Sequence, residues 1–197
     1  FADLELNTPT PARAVYEIGS VTKQFTAAAI LQLRDAGKLS LTDNISRYLP
    51  DYPTQGHTIT VGQLLDHTSG MKDYTSLPQF GAIASRTLPR DSLIAMFKVQ
   101  PFDFKPGELQ LYTNSAYFLA GLIIEKTSGE SYAAYIKKHL FDKAGMPDSR
   151  YCSESAIIPR KAHGYDMGAK GLENKAPLSH VYPFSAGSIC STAGDLA

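Results

Sequence analysis

Ser20 and Lys23 have the residue types and the spacing of a serine nucleophile and its proton acceptor. A helix predicted to begin at Ser20 places the lysine one turn later on the same face, so that its amine can approach the serine hydroxyl. The first turn of a helix also surrounds that hydroxyl with free backbone N–H groups and the positive end of the helix dipole. A lysine desolvated by apolar neighbours loses its preference for the charged form and can accept the serine proton. The pair therefore indicates covalent catalysis.

A second Ser-x-x-Lys pair, Ser69 and Lys72, competes with the first. Chance alone gives about one such pair in a chain of this composition, so the spacing by itself decides nothing. Gly70 follows the second serine, and no apolar helical pattern follows the pair, which is typical of a loop. The helical context favours Ser20 as the nucleophile.

Tyr112 and Asn114 form the only Tyr-x-Asn tripeptide in the chain, at a predicted junction between a loop and a helix. A phenolic oxygen can shuttle protons when a neighbouring cation stabilises the phenolate, and a carboxamide can hold a substrate amide. The alternative is a buried tyrosine followed by an asparagine that caps the helix. Taken alone, the tripeptide favours this structural alternative.

Other site chemistries find little support in the sequence. The five histidines lack the tight spacing of metal ligands, and His67 is predicted to brace a turn, so no metal is expected. The chain has neither a Gly-x-Ser-x-Gly nucleophile elbow nor a glycine-rich phosphate loop, and no cofactor is predicted. Thr42-Asp-Asn44 resembles a hydrolase tripeptide superficially, but a helix N-cap is the favoured interpretation.

Composition limits the partners that the protein could bind. The 197 residues include 19 basic and 19 acidic side chains, which gives a formal net charge of zero and no generic case for nucleic acid or an anionic membrane. Hydrophobic residues make up 43% of the chain, enough for one domain with a core. The longest apolar stretch, residues 116–124, is half as long as a bilayer span requires, so no membrane span is predicted.

The two cysteines, Cys152 and Cys190, leave two alternatives open. They could pair in an oxidising compartment or remain free as small buried apolar side chains. Their spacing carries no information on the distance between their Cα atoms. Free thiols are the favoured prediction.

The elements that must position the candidate residues are predicted to be mainly helical, with few short strands. Apolar residues at helical spacing predict a helix that begins with Ser20 as its N-cap and ends at Gly37. Shorter helices are predicted from Thr42-Asp43 toward Tyr48, from Thr60, from Asp91 to about Lys98, from Asn114 or Ser115, from Ser131 toward His139, and from Thr192. Residues 14–18 are predicted to be extended, and the chain after Ser149 to form loops and short extended pieces.

Four motifs, taken in order, resemble one family. They are YEIGSVTKQFT (residues 16–26), LLDHTSG (64–70), PG (106–107) ahead of YTN (112–114), and STAGDLA (191–197). Together they are similar to the serine β-lactamase-like family, which comprises class C β-lactamases, D-alanyl-D-alanine carboxypeptidases and related esterases and amidases. The resemblance runs from residue 15 to the end. It implies the α+β fold of β-lactamases and penicillin-binding proteins.

The resemblance also implies roles for the candidate residues. Ser20 would be the acylated nucleophile, Lys23 its buried proton partner, Tyr112 the general base and then acid, and Asn114 a contact for the substrate amide. The backbone N–H of Ser20 would supply half of an oxyanion hole. The implied partner is a small-molecule or peptide substrate, and the implied location is periplasmic or secreted. The oligomeric state stays open.

One family feature is missing from the sequence. The third motif, Lys-Thr-Gly or His-x-Gly on a strand, is not found: residues 67–70 lie too early, and His163-Gly164 lacks the middle residue. The expectation is therefore a single partial domain over residues 1–197, with the strands of the central sheet largely missing. Its parts are an extended segment (1–19), a nucleophile helix (20–37) and a mainly helical region (38–197).

Two functions follow as expectations. The first is a serine hydrolase that forms an acyl-enzyme at Ser20 with an amide, a β-lactam or a carboxylic ester. The second is a non-catalytic protein, an inactive fragment that binds a substrate or peptide on the same scaffold.

Overall fold

Two long helices, α1 (Thr22–Asp35) and α5 (Asn114–Ser128), form the centre of the computed structural model, which describes residues 1–197. The Thr113 hydroxyl caps α5 by accepting a hydrogen bond from the backbone of Ser115, and Gly129 ends the helix in a left-handed conformation. Gly121 lets a neighbouring helix approach closely, because a Cβ at this position would lie 2.5 Å from the Cβ of Ser185. Helix α5 is therefore buried along most of its length, as its apolar sequence requires.

The start of α1 differs from the sequence prediction. Ser20 lies in a short 3₁₀ turn (Gly19–Val21) that precedes α1, and its hydroxyl does not cap the helix. The hydroxyl contacts other side chains instead, so the prediction of Ser20 as N-cap was wrong. The predicted end is confirmed, because Gly37 follows α1 with a φ of 69°.

The shorter helices surround this pair. They are α2 (Val61–Leu65), α3 (Phe80–Ile83), α4 (Arg90–Phe97), α6 (Tyr132–Ile136), α7 (Asp142–Ala144), α8 (Phe184–Gly187) and α9 (Ala193–Leu196). A π-helical turn (Lys137–Phe141) joins α6 to α7. The predicted helix starts at Thr60, Ser131 and Thr192 are confirmed, since each hydroxyl accepts a backbone hydrogen bond in the first turn of its helix.

Two predicted helix starts were wrong. The chain after Thr42-Asp43 forms only a 3₁₀ turn (Ile45–Arg47), and it is Asn44 that caps this turn by accepting from the backbone of Ser46. Helix α4 begins at Arg90, directly after Pro89, so Asp91 lies inside its first turn. An acidic side chain stabilises the first turn through the helix dipole without being the cap.

The strands are few and short. Strand β5 (Ile189–Ser191) lies between β1 (Tyr16–Glu17) and β2 (Arg150–Tyr151) in an antiparallel sheet of order β1-β5-β2. Strands β3 (Tyr165–Gly168) and β4 (Gly171–Asn174) form a separate hairpin. The predicted α+β class, mainly helical with few short strands, is confirmed.

The cysteines are bonded, which corrects the prediction of free thiols. Cys152 and Cys190 form a disulfide with their Cα atoms 5.2 Å apart, although 38 positions separate them. The pairing of β2 with β5 sets Arg150 opposite Cys190 and so brings Cys152 alongside. Strand pairing, which the spacing of the cysteines does not encode, therefore decides their state.

A cluster of 27 buried apolar residues forms the main core. Ile30 and Leu33 of α1 belong to it, as do Phe118 and Ile123 of α5. No helix of the structure combines the length and the apolar character that a membrane crossing needs. The core thus fixes α1 and α5 against each other, and their N-terminal ends carry the residues described next.

Candidate active site

Ser20 occupies the tight connection between β1 and α1. Gly19 adopts a φ of 52° there, a conformation that side chains other than glycine rarely adopt. The exposed Ser20 Oγ lies 2.6 Å from the Tyr112 hydroxyl and 3.1 Å from Lys23 Nζ. The predicted nucleophile, lysine and tyrosine therefore meet at one oxygen atom.

Polar contacts of Glu17 hold the strand that leads to Ser20. A carboxylate oxygen of Glu17 lies 2.8 Å from the Lys161 amine and 3.4 Å from the buried ring of His180. The His180 hydrogen bond and the Lys161 amine hold the pKa of Glu17 well below its usual range. Glu17 therefore stays charged near neutral pH, and these contacts fix β1 three residues before the serine.

Lys23 is almost fully enclosed, with 7% of its surface exposed. Its Nζ contacts Ser20 Oγ, the Oδ1 of Asn114 at 2.8 Å and the backbone carbonyl of Ala186 at 2.9 Å. The last two atoms can only accept hydrogen bonds, whereas a serine hydroxyl can also donate one. A neutral Lys23 can therefore donate to Asn114 and Ala186 and direct its lone pair at the serine hydroxyl.

Burial lowers the pKa of Lys23 to about 8, and the negative charge of Asp73 acts in the opposite direction. The rings of Tyr112 and Tyr117 also face the amine, with their centroids 4.6 and 5.4 Å from Nζ. A pKa close to neutrality lets one lysine both take up and release a proton under physiological conditions.

His67 holds the tyrosine in place. Its Nδ1 accepts a hydrogen bond from the backbone of Thr113, its carbonyl accepts one from Leu111, and its ring lies 4.6 Å from the ring of Tyr112. Burial, followed by the nearby charge of Lys23, lowers the pKa of His67, which keeps Nδ1 available as an acceptor. The sequence predicts that His67 braces a turn, whereas these contacts are with residues 111–113, the segment that leads to α5.

Thr113, not Asn114, caps α5, which leaves the Asn114 carboxamide free for other contacts. Its Oδ1 accepts from Lys23 and lies 3.4 Å from the Tyr112 hydroxyl. Its Nδ2 donates to Asp73 and Thr75, each at 3.3 Å. Asn114 thus connects the lysine and the tyrosine to a neighbouring loop.

The sequence motifs did not indicate two residues that contact this cluster, Asp73 and Ala186. Asp73 accepts hydrogen bonds from both the backbone and the side chain of Asn114, and its only local signal is the cap that it gives to the 3₁₀ turn Tyr74–Ser76. Ala186 contributes a backbone carbonyl, which any residue type would supply. No side-chain pattern could therefore have indicated it.

The two side chains of the second Ser-x-x-Lys pair, Ser69 and Lys72, bind separate partners. Ser69 is fully buried, and its hydroxyl accepts a weak hydrogen bond from the backbone of Met71. The Lys72 amine instead pairs with Asp103 at 2.8 Å. The prediction that this pair lies in a loop is confirmed.

Outside this cluster, three side chains have the atom types that bind metal cations. Oxygen and nitrogen atoms of Asp3, Glu5 and His163 lie within 4.8 Å of one another. Both Glu5 oxygens already accept hydrogen bonds, from Tyr165 and Asn174, and none of the three residues contacts Ser20 or Lys23. The group is unrelated to the serine site.

A family model described as Beta-lactamase matches residues 1–197. The chain belongs to the beta-lactamase family. Among its curated relatives, penicillin-binding protein 4* of Bacillus subtilis is 34% identical over 85% of this chain. The putative penicillin-binding protein PbpX of the same organism is 38% identical over 92% of it. The chain spans 37% and 44% of the lengths of these two proteins.

Solved structures agree with this assignment. A penicillin-binding protein from Bacillus halodurans superposes with a TM-score of 0.86 and 30% identity, covering all of this chain and 61% of that protein. A D-amino acid amidase from Ochrobactrum anthropi, solved with D-phenylalanine, gives a TM-score of 0.87 and 26% identity, covering all of this chain and 58% of the amidase. This beta-lactamase-family chain thus has the family fold, and these relatives are penicillin-binding proteins and a D-amino acid amidase.

Proposed function

We propose that the protein is a serine hydrolase that works through an ester of Ser20. One observation carries the proposal: the Ser20 hydroxyl lies within hydrogen-bond distance of both the Tyr112 hydroxyl and the enclosed Lys23 amine. A nucleophile, a proton acceptor of lowered pKa and a second proton carrier around one oxygen atom are what acyl transfer needs.

Acylation begins with neutral Lys23. The Ser20 oxygen attacks the substrate carbonyl carbon while its proton passes to Nζ, and the carbonyl electron pair moves to the oxygen. The backbone N–H of Ser20 is proposed to stabilise this oxyanion. Lys23 thereby becomes a positively charged ammonium group. Asn114 Oδ1 and the Ala186 carbonyl are already oriented to accept hydrogen bonds from this group.

Tyr112 completes the proton transfers in this scheme as acid first and then as base, the reverse of the order that the family resemblance implies. Tyr112 lies on the solvent-accessible side of Ser20, since 48% of the residue is exposed. Its hydroxyl can therefore reach the leaving group and donate a proton to it. The Lys23 ammonium, facing the same ring, stabilises the phenolate that remains. The phenolate then accepts a proton from the water that attacks the ester, and Lys23 returns its proton to the departing Ser20 oxygen.

Asn114 already makes structural contacts in the absence of a substrate. Its carboxamide is bonded to Lys23, Asp73 and Thr75, so contact with a substrate amide would require it to exchange one of these partners. We therefore propose that its first role is to hold the amine of Lys23.

The proposed substrate class is a carboxylic amide, a β-lactam or a carboxylic ester. The penicillin-binding proteins and the D-amino acid amidase among the relatives support the first two. An exported location is part of the same proposal, since the disulfide between Cys152 and Cys190 is a bond that persists in oxidising compartments.

A labelling experiment tests the proposal. The purified protein is incubated with a fluorescent penicillin and, separately, with a fluorophosphonate, beside the Ser20→Ala variant and the matched Ser69→Ala control. We expect labelling of the wild type and of Ser69→Ala and none of Ser20→Ala. Absence of labelling in the folded wild type would favour the non-catalytic binding protein.

Substrate class is read from hydrolysis rates. A chromogenic cephalosporin, D-phenylalanine amide and p-nitrophenyl butyrate report on β-lactams, amides and esters in turn. Turnover of any one that is lost in Ser20→Ala supports the hydrolase, and the ratio of the three rates assigns the class.

A further inference from the structure

Asp73 binds Asn114 at two points on its backbone and side chain. One carboxylate oxygen, Oδ1, accepts from the backbone N–H of Asn114 at 3.1 Å, and the other, Oδ2, accepts from the side-chain Nδ2 at 3.3 Å. That backbone N–H belongs to the first residue of α5 and has no partner within the helix. Asp73 therefore ties both parts of Asn114 to the loop that precedes the turn Tyr74–Ser76.

A carboxamide can be rotated by half a turn with almost no change in shape, so its environment must select one orientation. The rotated Asn114 would present its NH₂ group to the Lys23 amine, donor against donor. An ionised carboxylate only accepts hydrogen bonds, so Asp73 can pair only with the NH₂ group of Asn114. The Oδ1 of Asn114 is thereby directed toward Lys23.

Thr75 strengthens this selection. Its hydroxyl donates its single proton to Asp73 Oδ2 at 2.6 Å, which leaves only lone pairs to face Asn114 Nδ2. Both atoms that receive the NH₂ group are thereby acceptors. Only one arrangement of donors and acceptors is then consistent along the hydrogen bonds that connect Asp73 through Asn114 and Lys23 to Ser20.

Asp73 also supplies charge. Around the Lys23 amine lie Ser20, the rings of Tyr112 and Tyr117, the Asn114 carboxamide and, further out, His67, which is itself affected by the lysine charge. None of these groups is a carboxylate. The carboxylate of Asp73 is the group that favours the ammonium form of Lys23 against the effect of burial.

We propose that Asp73 is a positioning residue for acylation, which orients the Asn114 carboxamide and balances the charge of Lys23 without touching the substrate. The inference depends on the proposed function, because it assigns Asp73 to the same reaction. It goes beyond the nucleophile, lysine, tyrosine and asparagine that the sequence motifs indicate.

The test follows the rate of fluorophosphonate labelling from about pH 5 to about pH 10, a range that brackets the titration of Lys23. Asp73→Asn keeps the shape and removes the charge, so we expect the midpoint of the pH profile to move to lower pH. We also expect the plateau rate at high pH to fall about tenfold, because misoriented catalytic groups lose rate steeply. Asp103→Asn, which removes a carboxylate paired with Lys72, is the matched control and should change neither quantity.

The outcomes separate the claims. An unchanged midpoint in folded Asp73→Asn would overturn the charge role, and an unchanged plateau would overturn the orienting role. If Asp73→Asn does not fold, Thr75→Val is measured instead: it removes one acceptor of Asn114 Nδ2 and keeps the carboxylate, so the plateau should fall and the midpoint should stay. An unchanged plateau in Thr75→Val would contradict the orienting role.

Failure of the underlying function looks different. If labelling persists in Ser20→Ala, the serine hydrolase proposal fails and the role of Asp73 fails with it. If labelling requires Ser20 but its pH midpoint and plateau rate are unchanged in Asp73→Asn, only the inference on Asp73 is overturned.

Discussion

The hydroxyl oxygens of Ser20 and Tyr112 lie 2.6 Å apart, although 92 positions separate them in the chain. Ser20 lies in the turn before α1, and Tyr112 lies two residues before the start of α5. Because the buried faces of these helices pack in one core, their N-terminal ends are held together at fixed distance. The geometry of the proposed site is thus a direct consequence of the packing of α1 against α5.

The pH dependence of acylation follows from Lys23. Burial lowers the pKa of this amine to about 8, and only its neutral form can accept the serine proton. We expect the rate of fluorophosphonate labelling to rise tenfold per pH unit below this value and to level off above it. A rate that falls as the pH rises through 8 would indicate that the ammonium form is required instead.

The same lysine links folding stability to pH. Its pKa in the folded protein is lower than its value of 10.5 in an exposed side chain, so the unfolded chain binds more protons between about pH 8 and 10.5. The wild type should therefore gain up to about 3 kcal/mol relative to Lys23→Met between these pH values. Urea unfolding of both proteins at each pH measures this gain. A difference that stays constant with pH would contradict the assignment.

Tyr112→Phe should separate catalysis from folding. The Tyr112 hydroxyl contacts only Ser20 and Asn114, and the side chain is half exposed, so its removal should leave the melting temperature nearly unchanged. We expect acylation to slow by about 10²- to 10⁴-fold, the usual contribution of a general acid or base.

Tyr117→Phe is the matched control, because this ring also faces Lys23 while its hydroxyl donates to the Leu65 carbonyl. It should cost about 1 kcal/mol of stability and little activity. Equal rate losses in the two variants would argue against a special role for Tyr112.

Local patterns account for what the sequence could predict. The spacing of apolar residues and the glycine at position 37 indicate α1, and the hydroxyl residues 60, 131 and 192 cap helices because capping depends on neighbours a few positions away. The preference for Ser20 and Lys23 over Ser69 and Lys72 rests on local helical context in the same way and stays a prediction.

Contacts between distant segments explain what the sequence could not supply. Asp73 meets Asn114 across 41 positions, and Ala186 meets Lys23 through a backbone atom that no residue type marks. Ser20 resembles an N-cap locally, but tertiary contacts with Tyr112 and Lys23 engage its hydroxyl instead. The disulfide depends on strand pairing in the same way.

The disulfide should contribute to stability. It closes a loop of 38 positions between β2 and the central strand β5, and cross-links of this span stabilise by about 2 to 4 kcal/mol. We expect the Cys152→Ser and Cys190→Ser double variant to unfold at lower urea concentration than the wild type. An identical midpoint under non-reducing conditions would show that the bond contributes nothing to stability.

The most direct measurement is the site of the covalent adduct. After reaction with the fluorophosphonate, the protein is digested and the modified peptide is sequenced by mass spectrometry, with Ser20→Ala treated in parallel. We expect a single adduct on the Ser20 hydroxyl, absent from the variant. An adduct on Ser69, or an unmodified Ser20 in protein that is labelled elsewhere, would contradict Ser20 as the nucleophile.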